Sequence, residues 1–586
     1  MLWYLKHILV RRGPQIWLLL KSLYRSISVA LAANPFLKQF MRRHPRLIVF
    51  VSERLDRKRF SGLPLSLLVM TLVYIAILFG GIVEDFLTSD PIVAVDHAVA
   101  QLMARFRPPE LIPVFTWVTV PGISRIAGPL LLIALLGAWL ARGRWLAISL
   151  LASAGGTAVF TLMGKLAFQR PRPMEAVLLE QSYSFPSGHA SIAVGLYGFL
   201  GYVLIRSAAD LRARTNYLLL TLLVILSIGL SRIVLGVHYL SDVWAGYLVG
   251  AGWLVIGIAI SEWATANRRI DWTHTIPRSQ RRLLWLLLFV GLAGYLGYAA
   301  QWHPKTFTPP AVATRSVEKP LADLIREENL SHTETLLGTP SQPLSAAFVI
   351  PNDSALVALL DKAGWQPADT PSPRNLLKLL RLGMAYQNPP LAPVFWNKKI
   401  NDLGFARAAE VDGEKIIDTL RLWKTLWRVD GAPVYVGVVR SYTDTYWSVL
   451  HRIAPDTDAA TQRMLHSLGT TKHGLHSCEV RLGKAEIGNY LLGIPFFSAG
   501  KLALVDLRGQ TSSGICTRRG ISNEEPGSDD TCQKCIFRDP TCVARRMQLS
   551  HPSRNGVGGR HFFPVVGVIA LLVGPCHPHD TLNTRC

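Results

Sequence analysis

The first 477 residues contain no cysteine; all seven lie from Cys478 onward, six of them in the last 71 residues. Most of the chain therefore has no disulfide and no thiolate metal site. An odd number crowded at one end is not a disulfide framework. Cys532-x2-Cys535 with Cys542 lacks a second well-spaced pair, so zinc is not expected there. Charge is scarce as well. Charged residues make up 17% of the 586 and hydrophobic ones 50%, which is too apolar for a soluble protein of this size. No small-residue cleavage site follows the N-terminal apolar stretch, so a cleavable leader is not expected. No internal repeat is present.

What the sequence does have is long uncharged runs. Ser61 to Val83, Trp145 to Gly164, Ser182 to Ile205, Thr215 to Ser231, Val243 to Ser261 and Leu283 to Trp302 can each hold a membrane-spanning helix. Ile123 to Ala141 is a seventh, with Arg125 snorkelling near its end. The chain reads as a polytopic membrane protein.

Base exceeds acid, with 62 Lys and Arg against 39 Asp and Glu and a net charge of +23. Thirteen of the basic residues fall within residues 1–62, without the aromatic platforms that nucleic-acid binding uses. We read that segment as cytoplasmic and lying on an anionic leaflet, with an interfacial helix over residues 15–33, and expect no nucleic-acid partner. The positive-inside rule sets the remaining topology. Glu84, Asp85, Asp90, Asp96 and Glu110 mark an external segment, while Arg142, Arg144, Arg206, Arg212, Arg214, Arg268 and Arg269 mark internal turns. Seven spans then place everything after Trp302 outside.

Five segments are expected: 1–60, basic and interfacial; 61–262, a membrane core; 263–310, a cytoplasmic loop, seventh span and Pro-rich linker; 340–508, mixed α/β; and 509–586, a Gly-, Ser-, Arg- and Cys-rich tail that is disordered or aberrant. In the fourth, residues 346–350 and 434–439 read as strands, and 355–365, 376–384 and 459–468 as amphipathic helices.

Chemistry concentrates in three short stretches at the predicted outer ends of spans: Lys165-x6-Arg172-Pro173, Pro186-Ser187-Gly188-His189, and Ser231-Arg232-x5-His238-x3-Asp242. Three cations can neutralise phosphate oxygens, one histidine can attack phosphorus, and the other can protonate the leaving oxygen. Free N–H groups where a helix starts at Ser187 and Gly188 suit an anion. His238 and Asp242 share one face if that stretch is helical, leaving the carboxylate to orient the imidazole. Each stretch alone has an ordinary explanation: basic anchors, an N-cap, an interfacial hydrogen bond. Together they do not. No metal or other cofactor is expected, because the cations are built in.

The three stretches resemble the complete signature of the type 2 phosphatidic acid phosphatase family, which shares its site with vanadium-dependent haloperoxidases. The resemblance covers about residues 63–261. It implies a six-helix phosphatase core; with the seventh apolar run and the mixed α/β pattern further on, the expected fold is an all-α polytopic membrane protein, the core plus one further span, with a C-terminal α+β domain. It also implies hydrolysis of a phosphate monoester or diphosphate through a phosphohistidine. His238 would be the nucleophile, Asp242 its orienter and His189 the general acid, with Lys165, Arg172, Ser187, Gly188 and Arg232 holding the phosphate. Residues 344–507 resemble the C-terminal domain of LssY-type proteins, including the stretch His451 to Asp458; Asp456 and Asp458 there are expected to close a turn. Residues 34–62 resemble the connector after a DedA-like membrane domain, so an incomplete or frameshifted chain is expected. The partner this implies is a lipid phosphate, undecaprenyl diphosphate or phosphatidic acid-like. The alternatives are a lipid-phosphate-binding or transport-associated protein without catalysis, and a vanadate-dependent haloperoxidase. A bare binder would need the cations but not a nucleophile with its orienting acid.

Overall fold

A computed structural model describes residues 18–508, except 20, 24, 27–28, 31–32, 89–90, 274–276, 303, 309–312, 369–390, 412, 447–449, 470–475 and 491–493. The tail with its six cysteines, the helix expected over 376–384 and part of the interfacial helix lie outside the described residues.

Two short helices, α1 (Pro35–Arg43) and α2 (Pro45–Arg54), precede the membrane region. Seven helices among the described residues are long and apolar enough to cross a membrane. They are α3 (Leu63–Thr88), α6 (Ser124–Arg142), α7 (Arg144–Phe168), α8 (Gly188–Ser207), α9 (Leu211–Val234), α10 (Leu240–Ala266) and α11 (Arg278–Gln301). Each overlaps one of the seven apolar runs. Between α3 and α6 the chain forms two further helices, α4 (Pro91–Phe106) and α5 (Leu111–Thr119). The charge pattern marked this segment only as external.

Local sequence explains the helix ends. Gly143, at φ +82°, breaks the chain between α6 and α7. Asp210 caps α9 by accepting from the Ala213 N–H at 2.7 Å. The spans pack through small residues. On α10, a Cβ at Gly246 would lie 2.6 Å from the Ser187 carbonyl oxygen, and one at Gly250 would lie 2.4 Å from that of Ser191. Only glycine lets α10 approach the start of α8 this closely. Both α7 and α8 contain a π-helical turn, Leu151–Gly155 and Ala193–Gly198, joined by Ser153 Oγ donating to the Gly195 carbonyl at 2.7 Å.

The C-terminal region is α+β. Its main sheet has the order β12 (His476–Arg481), β15 (Lys501–Asp506), β4 (Ala346–Val349), β10 (Ala432–Tyr446), β9 (Glu414–Val429), β8 (Leu403–Val411) and β5 (Gln366–Pro367). β4 and β15 run parallel; the other neighbours along this path are antiparallel. β1 (Arg315–Ser316) joins β9, and β11 (Leu450–Ile453) joins β10. One face buries α13 (Asp353–Lys362) and α14 (Thr457–Gly469) around Trp365, Phe348 and Met464. The other packs Trp423, Trp427 and Val436 against α12 (Leu321–Glu327). A smaller sheet, β3 (Pro340–Pro343), β2 (His332–Glu334), β6 (Phe395–Trp396) and β7 (Lys399–Ile400), ends in the β6–β7 hairpin, and β13 (Glu486–Asn489) pairs with β14 (Pro495–Ser498). Asp456 and Asp458 do hold turns: they accept from the N–H groups of Ala459 and Ala499.

Candidate active site

Lys165 sits on the last turns of α7, and its Nζ donates to the Tyr183 carbonyl oxygen. The chain then leaves the helix through Gln169, which is left-handed at φ +46°, into a loop folded back across the site. Ser184 ties that loop together: its N–H donates to the Arg170 carbonyl at 2.9 Å and its Oγ to that of Pro171 at 3.0 Å. Arg172 is held by three backbone carbonyls, those of Ser182 (2.7 Å), Val237 (2.6 Å) and Tyr183 (3.4 Å), and by the Ser182 hydroxyl. Its Nη1 also lies 3.2 Å from Nε2 of His238.

Ser187 precedes α8, and its N–H donates to the Asp242 carbonyl at 2.9 Å, which joins the second motif to the third. Its side chain caps nothing: Ser187 Oγ is buried without a hydrogen-bond partner. The same holds for Nε2 of His189, Nε of Arg232, Nδ1 of His238 and Oγ1 of Thr161. Buried polar atoms are nearly always paired, so the unpartnered Ser187 Oγ, His189 Nε2 and Arg232 Nε mark a place suited to a polar ligand, whereas His238 Nδ1 lies beside Asp242. The position of a Cβ on Gly188 would be 3.9 Å from Lys165 Cε, which puts the start of α8 beside that ammonium group.

Arg232, on the last turn of α9, donates to Thr119 Oγ1 at 2.8 Å and pairs with Glu180 at 2.6 Å. Burial pushes the Glu180 carboxyl up, but Arg232 and Arg172 outweigh it and hold the group below the usual carboxylate range. Burial and the nearby Arg232 lower Arg172 to about 10 against the pull of Glu180, so it stays cationic at neutral pH. His238 is held well below the ordinary histidine range, by burial first and then by Arg172, Arg232 and Lys165.

One geometric expectation changes. His238 lies in the loop before α10 rather than on the helix, and Asp242 occupies the first turn. His238 Nδ1 is 3.5 Å from Asp242 Oδ2, so the two are close without a formed hydrogen bond. The Asp242 carboxylate is held instead by the Tyr239 N–H at 2.9 Å and by Arg170 at 2.7 Å.

The eight expected site residues thus come from α7, the following loop, the start of α8, the end of α9 and the start of α10. Four neighbours were missed by spacing alone: Asp96, Thr119, Arg170 and Glu180. Arg170 stood in plain view as the first of two Arg-Pro pairs, and the offset from Lys165 selected the second. Asp96 follows the apolar run Ile92 to Val95 on α4, a signal that could have marked it as buried and paired.

Residues 145–266 match the family model of the PAP2 superfamily, and residues 324–502 that of the LssY C-terminus. Phosphatidylglycerophosphatase B of Bacillus subtilis (strain 168) is 30% identical over 176 residues, which span 30% of this chain and 86% of that protein. The crystal structure of a transmembrane PAP2 type phosphatidylglycerolphosphate phosphatase from Bacillus subtilis covers 35% of this chain and 98% of its own, at 26% identity and a TM-score of 0.30. That of Aquifex aeolicus LpxE covers 28% of this chain and 92% of its own, at 26% identity and a TM-score of 0.21. The curated relative is matched over most of its length, and the segment that matches the family model contains all eight of these residues; the chain belongs to the PAP2 superfamily and is a multi-span membrane phosphatase.

Proposed function

We propose that the chain hydrolyses a lipid phosphomonoester or diphosphate through a phosphohistidine on His238. The observation that carries this reading is the grouping of unpartnered Ser187 Oγ, His189 Nε2 and Arg232 Nε with a His238 whose Nε2 faces Arg172. Lys165, Arg172 and Arg232 hold the phosphate with Ser187 and the Gly188 N–H, neutralising charge that grows in the transition state. His238 Nε2 attacks phosphorus, the bond to the leaving oxygen breaks, and His189 gives that oxygen its proton. Asp242 stabilises the positive ring. Water then attacks phosphorus and yields a proton to His189; the P–N bond breaks, and the electron pair returns to His238. The cations are side chains, so the reaction is expected to proceed in the presence of chelators.

The spans around the site favour a substrate with an apolar tail in the bilayer. Undecaprenyl diphosphate and phosphatidic acid-like lipids are the candidates, and the similarity to a phosphatidylglycerophosphatase adds phosphatidylglycerophosphate. We place the site, and the C-terminal region with it, on the outer side of the membrane, opposite the arginine-rich turns at Arg142–Arg144 and Arg206–Arg214. The test is phosphate release from a panel of detergent-solubilised lipid phosphates by the parent and by His238→Ala. The variant should lose about 10³-fold or more in rate while inserting normally. Near-parental release by the variant would remove the mechanism.

A further inference from the structure

Arg170 belongs to none of the motif positions, yet it is only 4% exposed and sits between two buried carboxylates. Its Nη1 reaches Asp242 Oδ1 at 2.7 Å and Ser241 Oγ at 2.8 Å; its Nη2 reaches Asp96 Oδ2 at 2.7 Å. Asp96 accepts from the Ser241 N–H at 2.9 Å and from the Ser241 hydroxyl. The guanidinium carbon lies 4.2 Å from the Tyr239 ring centre and 4.9 Å from that of Phe86. Burial alone would favour its neutral form; Asp242 and Asp96 reverse that and raise it, so the charge is kept. Removing this cation would leave two adjacent carboxylates buried and uncompensated.

The geometry decides which oxygen of Asp242 meets the nucleophile. Arg170 takes Oδ1, while the Tyr239 N–H holds Oδ2, the oxygen 3.5 Å from His238 Nδ1. Asp96 in turn anchors Arg170 to α4, and the C-terminal region grips another part of the same helix. Arg105 donates to the Asp402 carbonyl at 2.9 Å, and Ala98 packs with Phe395 and Ile400 of the β6–β7 hairpin.

We propose that Asp96 and Arg170 are positioning residues that set the Asp242 carboxylate against His238, and that α4 is the element through which the C-terminal region acts on the site. The proposal rests on His238 being the nucleophile. The experiment is a double-mutant cycle in the full-length protein, with phosphate release from a lipid phosphomonoester as readout. Arg170→Met and Asp242→Asn should each lower kcat by about 10²-fold with KM within about twofold, and the double variant should be no slower than the worse single one. Arg170→Lys should regain part of the loss. If Arg170→Met fails to insert, Asp96→Asn, which keeps shape and removes the charge, takes its place in the cycle. Arg105→Ala should lower kcat several-fold in the parent and not at all in Asp242→Asn. Multiplying losses, or a loss confined to KM, would overturn the positioning role; a parental kcat for Arg105→Ala would remove the C-terminal region from it. An active His238→Ala would instead sink the underlying mechanism, which keeps the two failures apart.

Discussion

His238 is the residue whose environment most directly sets how the enzyme should respond to pH. Burial, Arg172, Arg232 and Lys165 all disfavour its protonated form. A base with a depressed pKa is neutral, and nucleophilic, at every pH above that value, and loses its lone pair only below it. The acid limb of kcat/KM assigned to His238 should therefore fall well below pH 6.5. A bound phosphate dianion offsets the surrounding cations, so the limb in kcat should lie at higher pH than the limb in kcat/KM. Initial rates of phosphate release from pH 4 to 9 check both; a kcat/KM limb at 6.5 or above would contradict the burial argument. At this scale, spacing located Lys165, Arg172, Ser187, Gly188, His189, Arg232, His238 and Asp242. It was silent on Arg170, because two arginines two residues apart look alike until the fold buries one between carboxylates.

At the scale of elements, the approach of α10 to α8 rests on Gly246-x3-Gly250, whose missing side chains leave room for the Ser187 and Ser191 carbonyls. Gly250→Leu should force the helices apart, costing about 1–3 kcal/mol and lowering the melting temperature measured in detergent. Because Ser187 and Asp242 are joined across the same contact, phosphatase activity should fall with it. A variant with parental melting and activity would show that the crossing is not set by these glycines. The spans and the strands at 346–350 and 434–439 were legible because apolar runs are local properties, whereas β8 and β9 were not read from the sequence. The β9–β10 hairpin turns at Asp430-Gly431, both at positive φ, as a type I′ turn requires, a signal the sequence reading did not use. α4 and α5 were not foreseen. Their sequence is apolar without reaching spanning length, and Asp96 read as surface charge until Arg170 was found beside it.

For the whole molecule, the charge pattern sets an expected sidedness. Reporter fusions after Arg269 and after Glu328 should read cytoplasm and exterior, respectively, if α11 crosses the membrane and delivers the C-terminal region to the side of the catalytic loop. Two cytoplasmic readouts would remove the seventh crossing. They would also conflict with the contact between α4 and the β6–β7 hairpin, because α4 carries Asp96 directly into the Arg170–Asp242 network.

The sequence by itself determined that the chain is a multi-span membrane protein with seven helices long and apolar enough to cross, and it picked out the eight residues proposed for the phosphate chemistry. Hydropathy and motif spacing are carried by neighbouring residues and need no fold to be read. Only the tertiary structure decided that His238 stands ahead of its helix, that Asp242 is shared with a second arginine, and that Glu180 faces Arg232. Those facts depend on which loops close over which helix ends. They join residues more than 50 positions apart, such as Asp96 with Arg170 and Glu180 with Arg232, through buried charge pairs that no local pattern encodes.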